Sequence, residues 1–320
     1  DHRDLHSFPT RRSSDLYSSS SLALIPDIYL VVCLTASHND LVWNGVKIYI
    51  ELAVPISGRV MEAISKRALQ YTQIPLATKF TPQYIDADSK NNDYIIDLVK
   101  RLIDVSVLKG KKIILWPYLG HAPEIQDLFR RVGVDLLPID DEQEVPNPTA
   151  HINERKLQQI MNEKGIQTAV LLDADRDRVV FYLKKEKTGK FISLTPNELY
   201  TAMHNLLAKK MKRTLINVRT VPSDPRCDAA ANLNFITGVG YKHLGIIIYA
   251  ALGKEIDHQK FQTAILYQLT PNGYEKIMTP EAIPEIIAKN NIKGSNIAMV
   301  LWEESGGHRS EERRVGKECR

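Results

Sequence analysis

Cysteine is scarce in this chain: three among 320 residues, at Cys33, Cys227 and Cys319. Residues that far apart give neither a disulfide framework nor a metal-ligand spacing, and the usage fits a reducing cytosol. An export signal is also missing. The pair Arg11 and Arg12 precedes an apolar stretch, but Pro26 and Asp27 interrupt it, so no secretory or membrane-spanning segment is read. Strong charge of one sign is absent too. A formal net charge of +4 lacks the basic footprint that nucleic-acid binding needs. No short-period repeat occurs, and low complexity is confined to Ser18–Ser21. The expected partners therefore exclude nucleic acid and membrane, and a cytoplasmic location is expected.

Two terminal segments stand apart. Asp1–Leu16 (DHRDLHSFPTRRSSDL) looks like a translated sequencing adapter, and Arg309–Arg320 (RSEERRVGKECR) like the same adapter read from its complementary strand. Codons exist for which the DNA behind Leu5–Leu16 is the reverse complement of that behind Arg309–Arg320. Setting both aside removes eight basic and six acidic residues and lowers the net charge to +2. The remaining length, about 290 residues, is a prior for two domains with sizeable cores.

Strand-like and helix-like patterns alternate, which argues for layered α/β architecture. Ile28–Leu34 is apolar, and Asn44-Gly45 signals a hairpin turn between Val42 and a strand over Val46–Ile50. Strands are expected at Lys111–Trp116 and Val134–Ile139, with a helix over Pro123–Arg131 between them. A helix over Asn153–Glu163 precedes a buried strand, Thr168–Leu172, and Val179–Lys184 continues as a strand. Thr195–Glu198 (TPNE) reads as a capping box for a helix running to about Met211. A further unit begins near Lys212, with a strand at Thr214–Val218, a helix over Asp224–Leu233 and a last clear strand at Ile297–Trp302.

The run Asp173-Ala174-Asp175-Arg176-Asp177-Arg178 sits at the carboxyl end of one such strand, where open α/β sheets place ligands. Three alternate carboxylates offer the all-oxygen ligation that suits a hard divalent cation such as Mg²⁺. A calcium loop is excluded, because its glycine position would be Arg178 and its closing glutamate Lys184. A solvated acidic turn is the plain alternative. Elsewhere, Thr35-Ala36-Ser37-His38-Asn39 follows an apolar run and Lys47 comes ten residues after Ser37. Gly240-Tyr241-Lys242 lies downstream. Another apolar run ends in Glu303-Glu304-Ser305-Gly306-Gly307-His308.

TASHN followed by NGVK, then DADRDR, GYK and EESGGH resemble, in order, the motifs of the α-D-phosphohexomutase family, the phosphoglucomutases and phosphomannomutases. The resemblance covers roughly residues 24 to 308. It implies consecutive α/β/α layered domains with mixed sheets: a partial first domain over 17–91 with the phosphoserine loop, a metal-loop domain over 92–211, and a sugar-binding domain over 212–308. Residues 1–16 and 309–320 are the adapter-like ends, the first domain is incomplete and a fourth is missing. The implied catalytic set is Ser37, His38, Lys47 and Arg178. Ser37 carries the phosphate, and Mg²⁺ is held by Asp173, Asp175 and Asp177 against an oxygen of phosphorylated Ser37. Lys47 exchanges a proton with the sugar, which requires its pKa to fall well below the usual lysine value, and Arg178 orients the phosphoserine or the carboxylates. Gly240, Lys242, Glu303, Ser305 and His308 contact the hexose phosphate. The implied reaction interconverts the 1- and 6-phosphates of glucose or mannose through a bisphosphorylated sugar, although a chain without the fourth domain's phosphate clamp is expected to turn over little. Oligomeric state is not readable.

The sequence departs from the family pattern in places. Asp40 replaces a usual proline, Arg176 a usual glycine or alanine, and Pro117-Tyr118-Leu119-Gly120 lacks the turn histidine. A metal-dependent phosphohydrolase or phosphotransferase with an aspartate nucleophile, and a non-catalytic sugar-phosphate binder, are the alternatives. The genomic locus is expected to lack codons for both terminal segments; native codons running through either end would refute the adapter reading.

Overall fold

The computed structural model describes residues 28–35, 39, 42–43, 45–50, 52, 54–73, 79, 81, 87–119, 122–141, 143, 145, 147–148, 153–263, 265–294, 296–305 and 308–313. Ser37, His38, Asp40, Gly306 and Gly307 lie outside the described residues, as does Asp1–Leu16; for His308–Arg313 the backbone alone is described. Packing divides the chain into two compact units, Asp1–Glu51 with Ile85–Leu194, and Leu52–Tyr84 with Thr195–Arg320. Among the described residues, no helix is long and apolar enough to cross a membrane.

In the first unit, β1 (Val31–Leu34) pairs antiparallel with β2 (Val46–Tyr49), setting Cys33 opposite Lys47. The pairing extends through a hydrogen bond from Thr35 N to Gly45 O at 3.0 Å. A Cβ on Gly45 would stand 2.8 Å from that Thr35 oxygen, so the close approach of the two backbones requires glycine. Asn44 of the expected Asn44-Gly45 turn lies outside the described residues, and Gly45 itself continues the β1–β2 pairing. Val42 is exposed in a turn, whereas Val31 and Cys33 of β1 bury against Tyr49. Burial, not the turn signal, chose the partner of β2. Helix α1 (Gly58–Ala68) belongs to the second unit and buries no residue, while α2 (Ala87–Leu102) belongs to the first.

The main sheet of the first unit comprises β3 (Lys112–Pro117), β4 (Asp135–Pro138), β5 (Thr168–Leu172), β6 (Val179–Lys184) and β7 (Phe191–Leu194), ordered β4-β3-β5-β6-β7. β4, β3 and β5 run parallel, whereas β6 and β7 return antiparallel. Ile114, Trp116, Ala169 and Leu171 face α4 (Glu154–Lys164) through Leu157 and Met161. Ile113, Leu115, Val170 and Leu172 face the other side, where Ile125 and Phe129 of α3 (Pro123–Arg131) pack. Covering both faces explains why β3 and β5 read as unbroken apolar runs. The mixed sheet agrees with the α/β class expected.

The second unit is built on β8 (Thr214–Thr220), β9 (Leu233–Thr237), β10 (Leu266–Thr270), β11 (Gly273–Lys276), β12 (Ile297–Trp302) and β13 (His308–Arg313), ordered β11-β10-β9-β8-β12-β13. β9, β8 and β12 are parallel and the outer strands antiparallel. Helix α5 (Pro196–Asn205) continues as a π-helical turn over Leu206–Lys210. Its Tyr200 stacks on Trp302 of β12, so this helix packs with the second unit. α6 (Tyr241–Ala251) and α7 (Ile283–Lys289) cover the other face through Leu244, Ile247, Ile283 and Ile287.

Three local expectations are corrected. Thr195 occupies the N-cap of α5 without a side-chain cap bond, and Glu198, expected to close the box, instead accepts from Arg226 at 3.1 Å. The helix expected over Asp224–Leu233 is a 3-10 turn, Pro225–Ala230, followed by β9. Leu233 and Phe235 are buried in the sheet core, and that burial overrides helical spacing. Finally, β12 is not the last strand, since His308–Arg313 pairs along its free edge, where unpaired backbone groups accept any extended segment.

Candidate functional site

Asp173, Asp175 and Asp177 follow β5, the parallel strand next to the antiparallel half of its sheet. Each offers one oxygen such that all three lie within 4.8 Å of one another. Two are buried, and Asp177 is nearly so. Each carboxylate divides its work between its two oxygens. Asp173 Oδ1 accepts from Arg178 N at 3.1 Å. Asp175 Oδ2 accepts from Thr35 Oγ1 at 2.8 Å and Lys47 Nζ at 3.1 Å. The remaining oxygens, Asp173 Oδ2 and Asp175 Oδ1, together with Asp177 Oδ1, are buried and accept no hydrogen bond. Orphaned buried oxygens cost about 1–3 kcal/mol each, unless a cation completes them. Three such oxygens, converging from one turn, fit a metal ion with oxygen ligands.

The electrostatics say the same. Burial, then the charges of Asp177 and Asp175, push the Asp173 carboxyl well above the usual carboxylate range, against the pull of Arg178. Burial and the Asp175 charge raise Asp177 to about 6, opposed chiefly by Lys47 and Arg178. Lys47 stands on β2 with Nζ 3.9 Å from Asp177 Oδ2. Burial lowers its pKa, but the charges of Asp175 and Asp177 outweigh that and the net direction is upward. In the metal-free chain these two carboxylates favour the charged lysine, opposite to the lowering that proton exchange would require. Arg178 Nε lies 3.8 Å from Asp173 Oδ2 and 3.9 Å from Asp177 Oδ1.

Thr35 is a residue of this cluster to which sequence reasoning gave no role. It lies two residues before Ser37, and its hydroxyl binds the acidic turn from 140 positions away in the chain. Nothing in its type or spacing announces this, since threonine at a strand end is ordinary. Ser37 and His38 fall outside the described residues, and the strand leading to them is the one that Thr35 ties to Asp175.

In the second unit, Glu303 follows β12. Its Oε2 accepts from Gly240 N at 3.0 Å and its Oε1 from Ser305 Oγ at 2.6 Å. Three of the five expected sugar-loop residues are therefore joined. Gly240 has φ 116° at the N-cap of α6, a backbone shape that favours glycine, and Lys242 lies half-buried in the first turn of that helix. The side chain of His308 lies outside the described residues. Glu304, which sequence reasoning left unassigned, accepts from Thr220 Oγ1 at 2.9 Å and Ser223 Oγ at 3.3 Å. It fastens the loop while Glu303 faces Gly240.

No protein-family model matches the sequence. The phosphoglucosamine mutase of Cutibacterium acnes is 30% identical over 162 residues, 47% of this chain and 34% of that protein. A Xanthomonas campestris pv. campestris protein named for phosphohexose mutases is 27% identical over 169 residues, 50% of this chain and 36% of its own. Over about half of its length the chain is similar to these sugar-phosphate mutases. A solved phosphoglucomutase/phosphomannomutase family protein from Burkholderia thailandensis shares the fold, with a TM-score of 0.54 at 15% identity over 80% of this chain and 58% of that one. The match spans about a third of the length of these curated relatives.

The raised Asp177 makes the metal-free stability of this chain pH-dependent. A carboxyl raised in the fold contributes stability fully present below its unfolded value of about 4 and lost as pH rises through its folded value, here about 6. Asp177→Asn is expected to stabilise the metal-free chain by about 1–2 kcal/mol at pH 7.5 and by little at pH 4. Thermal unfolding at the two pH values measures it, and an equal effect at both would refute the assignment.

Proposed function

We propose that this chain is part of a phosphohexomutase that interconverts hexose 1-phosphates and hexose 6-phosphates through a phosphoserine at Ser37. The observation that supports it most is the bonding of Thr35 and Lys47, which flank the serine loop, to Asp175 of the acidic turn. It links the stretch that would carry the phosphoryl group to the stretch that would hold a metal. Phosphoryl transfer needs positioning and charge neutralisation more than covalent help, and both are supplied by such a pairing.

Asp173, Asp175 and Asp177 are the residues we assign to Mg²⁺, with one free oxygen each. A bound divalent ion would polarise a phosphoryl oxygen and offset charge in the transition state. In the proposed cycle, phosphorylated Ser37 gives its phosphoryl group to the free hydroxyl of a bound hexose phosphate. The bisphosphorylated sugar turns over, and its other phosphate returns to Ser37. Lys47 is placed to exchange the proton of the accepting hydroxyl once the charges of Asp175 and Asp177 are taken up. Arg178 steadies the turn through Asp173 and Asp177 and remains a donor for the phosphoserine. Glu303 and Ser305 form a hydroxyl-binding pair, suited to a sugar presented in two orientations, with Gly240, Lys242 and His308 completing that loop. His38 keeps its place in the catalytic set on the strength of the TASHN motif. Glucose and mannose phosphates remain the first substrates to test, and the names of the curated relatives add glucosamine phosphate.

Incubating the chain with glucose 1,6-bisphosphate and Mg²⁺ is expected to place a stable phosphate on the Ser37 peptide, read by mass spectrometry, and Ser37→Ala is expected to abolish it. Phosphate found on an aspartate, or uptake that survives Ser37→Ala, would instead favour a phosphotransferase with a carboxylate nucleophile. Asp175→Asn is expected to weaken Mg²⁺ binding by about tenfold or more, measured calorimetrically. Unchanged metal affinity would remove the metal assignment.

A further inference from the structure

Arg176 occupies the position between two of the acidic ligands where the family pattern has glycine or alanine. Its φ is 62°, the left-handed region that glycine enters freely and an L side chain enters at a cost. The structure nonetheless keeps arginine there. Its side chain is only 2% exposed, and NH1 pairs with Oε1 of Glu124, itself 5% exposed. Glu124 lies in the first turn of α3, where a carboxylate is favoured by the helix dipole. That turn is fixed independently, because Asn92 Nδ2 donates to Glu124 O at 2.8 Å and to Asp127 Oδ2 at 3.0 Å.

Stability alone does not account for such a pair. Two ions withdrawn from water forfeit about as much as their attraction returns, and apolar substitutes of similar volume would hold the fold as well. What an apolar pair would not do is define direction. The ion pair of Arg176 Nη1 with a carboxylate fixed on a helix start restrains where the guanidinium lies and hence the backbone that carries it.

We propose that Arg176 and Glu124 form a positioning clamp that does what glycine would do in this turn: it fixes the left-handed residue between Asp175 and Asp177, so that all three carboxylates converge. The inference rests on the metal reading of the triad. Arg176 and Glu124 are positioning residues, since both act through the ligands and not on the ion.

The test is a double-substitution cycle on the full chain, with Mn²⁺ as the probe in calorimetry and hydrogen exchange of the amides of residues 174–178 without metal. Glu124→Gln is expected to weaken Mn²⁺ binding by about tenfold and to speed exchange in the turn. Adding Arg176→Gly is expected to return both close to the parent, because glycine adopts the turn unaided and no buried charge is stranded. Glu163→Gln, an exposed carboxylate on α4, is the control and is expected to change neither. Parent-like exchange and affinity in Glu124→Gln, or a double variant no better than the single one, would overturn the clamp. If Glu124→Gln fails to fold, Arg176→Lys, which keeps the charge without the fork, is expected to show the same two losses at smaller size, and its parity with the parent would likewise overturn the proposal. If the parent itself binds no Mn²⁺, the metal reading fails and the exchange measurements alone decide the clamp.

Discussion

Three carboxylates confined to one strand end set the terms for everything around them. Like charges this close raise one another's pKa, and burial removes the water that would screen them. The fold answers with cations and donors on one side of each group: Arg178 N for Asp173, Thr35 and Lys47 for Asp175, and Lys47 and Arg178 near Asp177. Asp173 Oδ2, Asp175 Oδ1 and Asp177 Oδ1 accept no hydrogen bond, although Arg178 Nε stands 3.8 and 3.9 Å from the first and last of them. Such an arrangement is poor as a stabilising device and sound as a ligand set, because a divalent ion would satisfy all three oxygens at once. Rigidity comes from below, where β3 and β5 are packed on both faces and fix the origin of the turn.

The second unit applies the same logic with neutral donors. Glu303 would be free to swing at the end of β12, yet Gly240 N and Ser305 Oγ hold both of its oxygens. The strand beneath is locked by a buried polar network. Trp302 Nε1 donates to Asn217 Oδ1 at 2.9 Å, His204 Nε2 lies 3.0 Å from the same oxygen, and Asn217 Nδ2 donates to Asp228 and Asn234. Burial lowers the His204 pKa, opposed by its contacts with Tyr200 O and Asn217 Oδ1. Arg219 grips Asp228 with two nitrogens. A network with its partners in place specifies one arrangement of the strand end, and therefore one position for the loop.

Much of this was legible in the sequence, for identifiable reasons. β5, β6 and β12 are apolar runs bounded by charge, and α3 and α4 carry one apolar face; such patterns survive any tertiary context. The acidic turn was legible because alternate carboxylates at a strand end have few structural uses. What the sequence hid were relations between distant residues. Asn44-Gly45 promised a local hairpin, but the buried face of β1 outweighed it. Asp224–Leu233 carried enough helical spacing to pass as a helix, until Leu233 was seen to open β9 between β8 and β10. Glu198 was drawn off its cap by Arg226, a partner 28 positions away. Thr35, Glu304 and the Arg176–Glu124 pair each act across the fold, and no local spacing encodes that.

Lys47 shows why geometry alone misassigns a proton. Read as a base, it needed a depressed pKa, and burial does push it that way. Burial also brings it onto Asp175, and a carboxylate at 3.1 Å with another at 3.9 Å reverses the direction. The ammonium and a divalent ion therefore answer to the same negative charge. While those carboxylates face Lys47 alone, it is a counter-ion that keeps its proton. A cation bound at those carboxylates would draw off their charge and leave the lowering effect of burial on Lys47 less opposed.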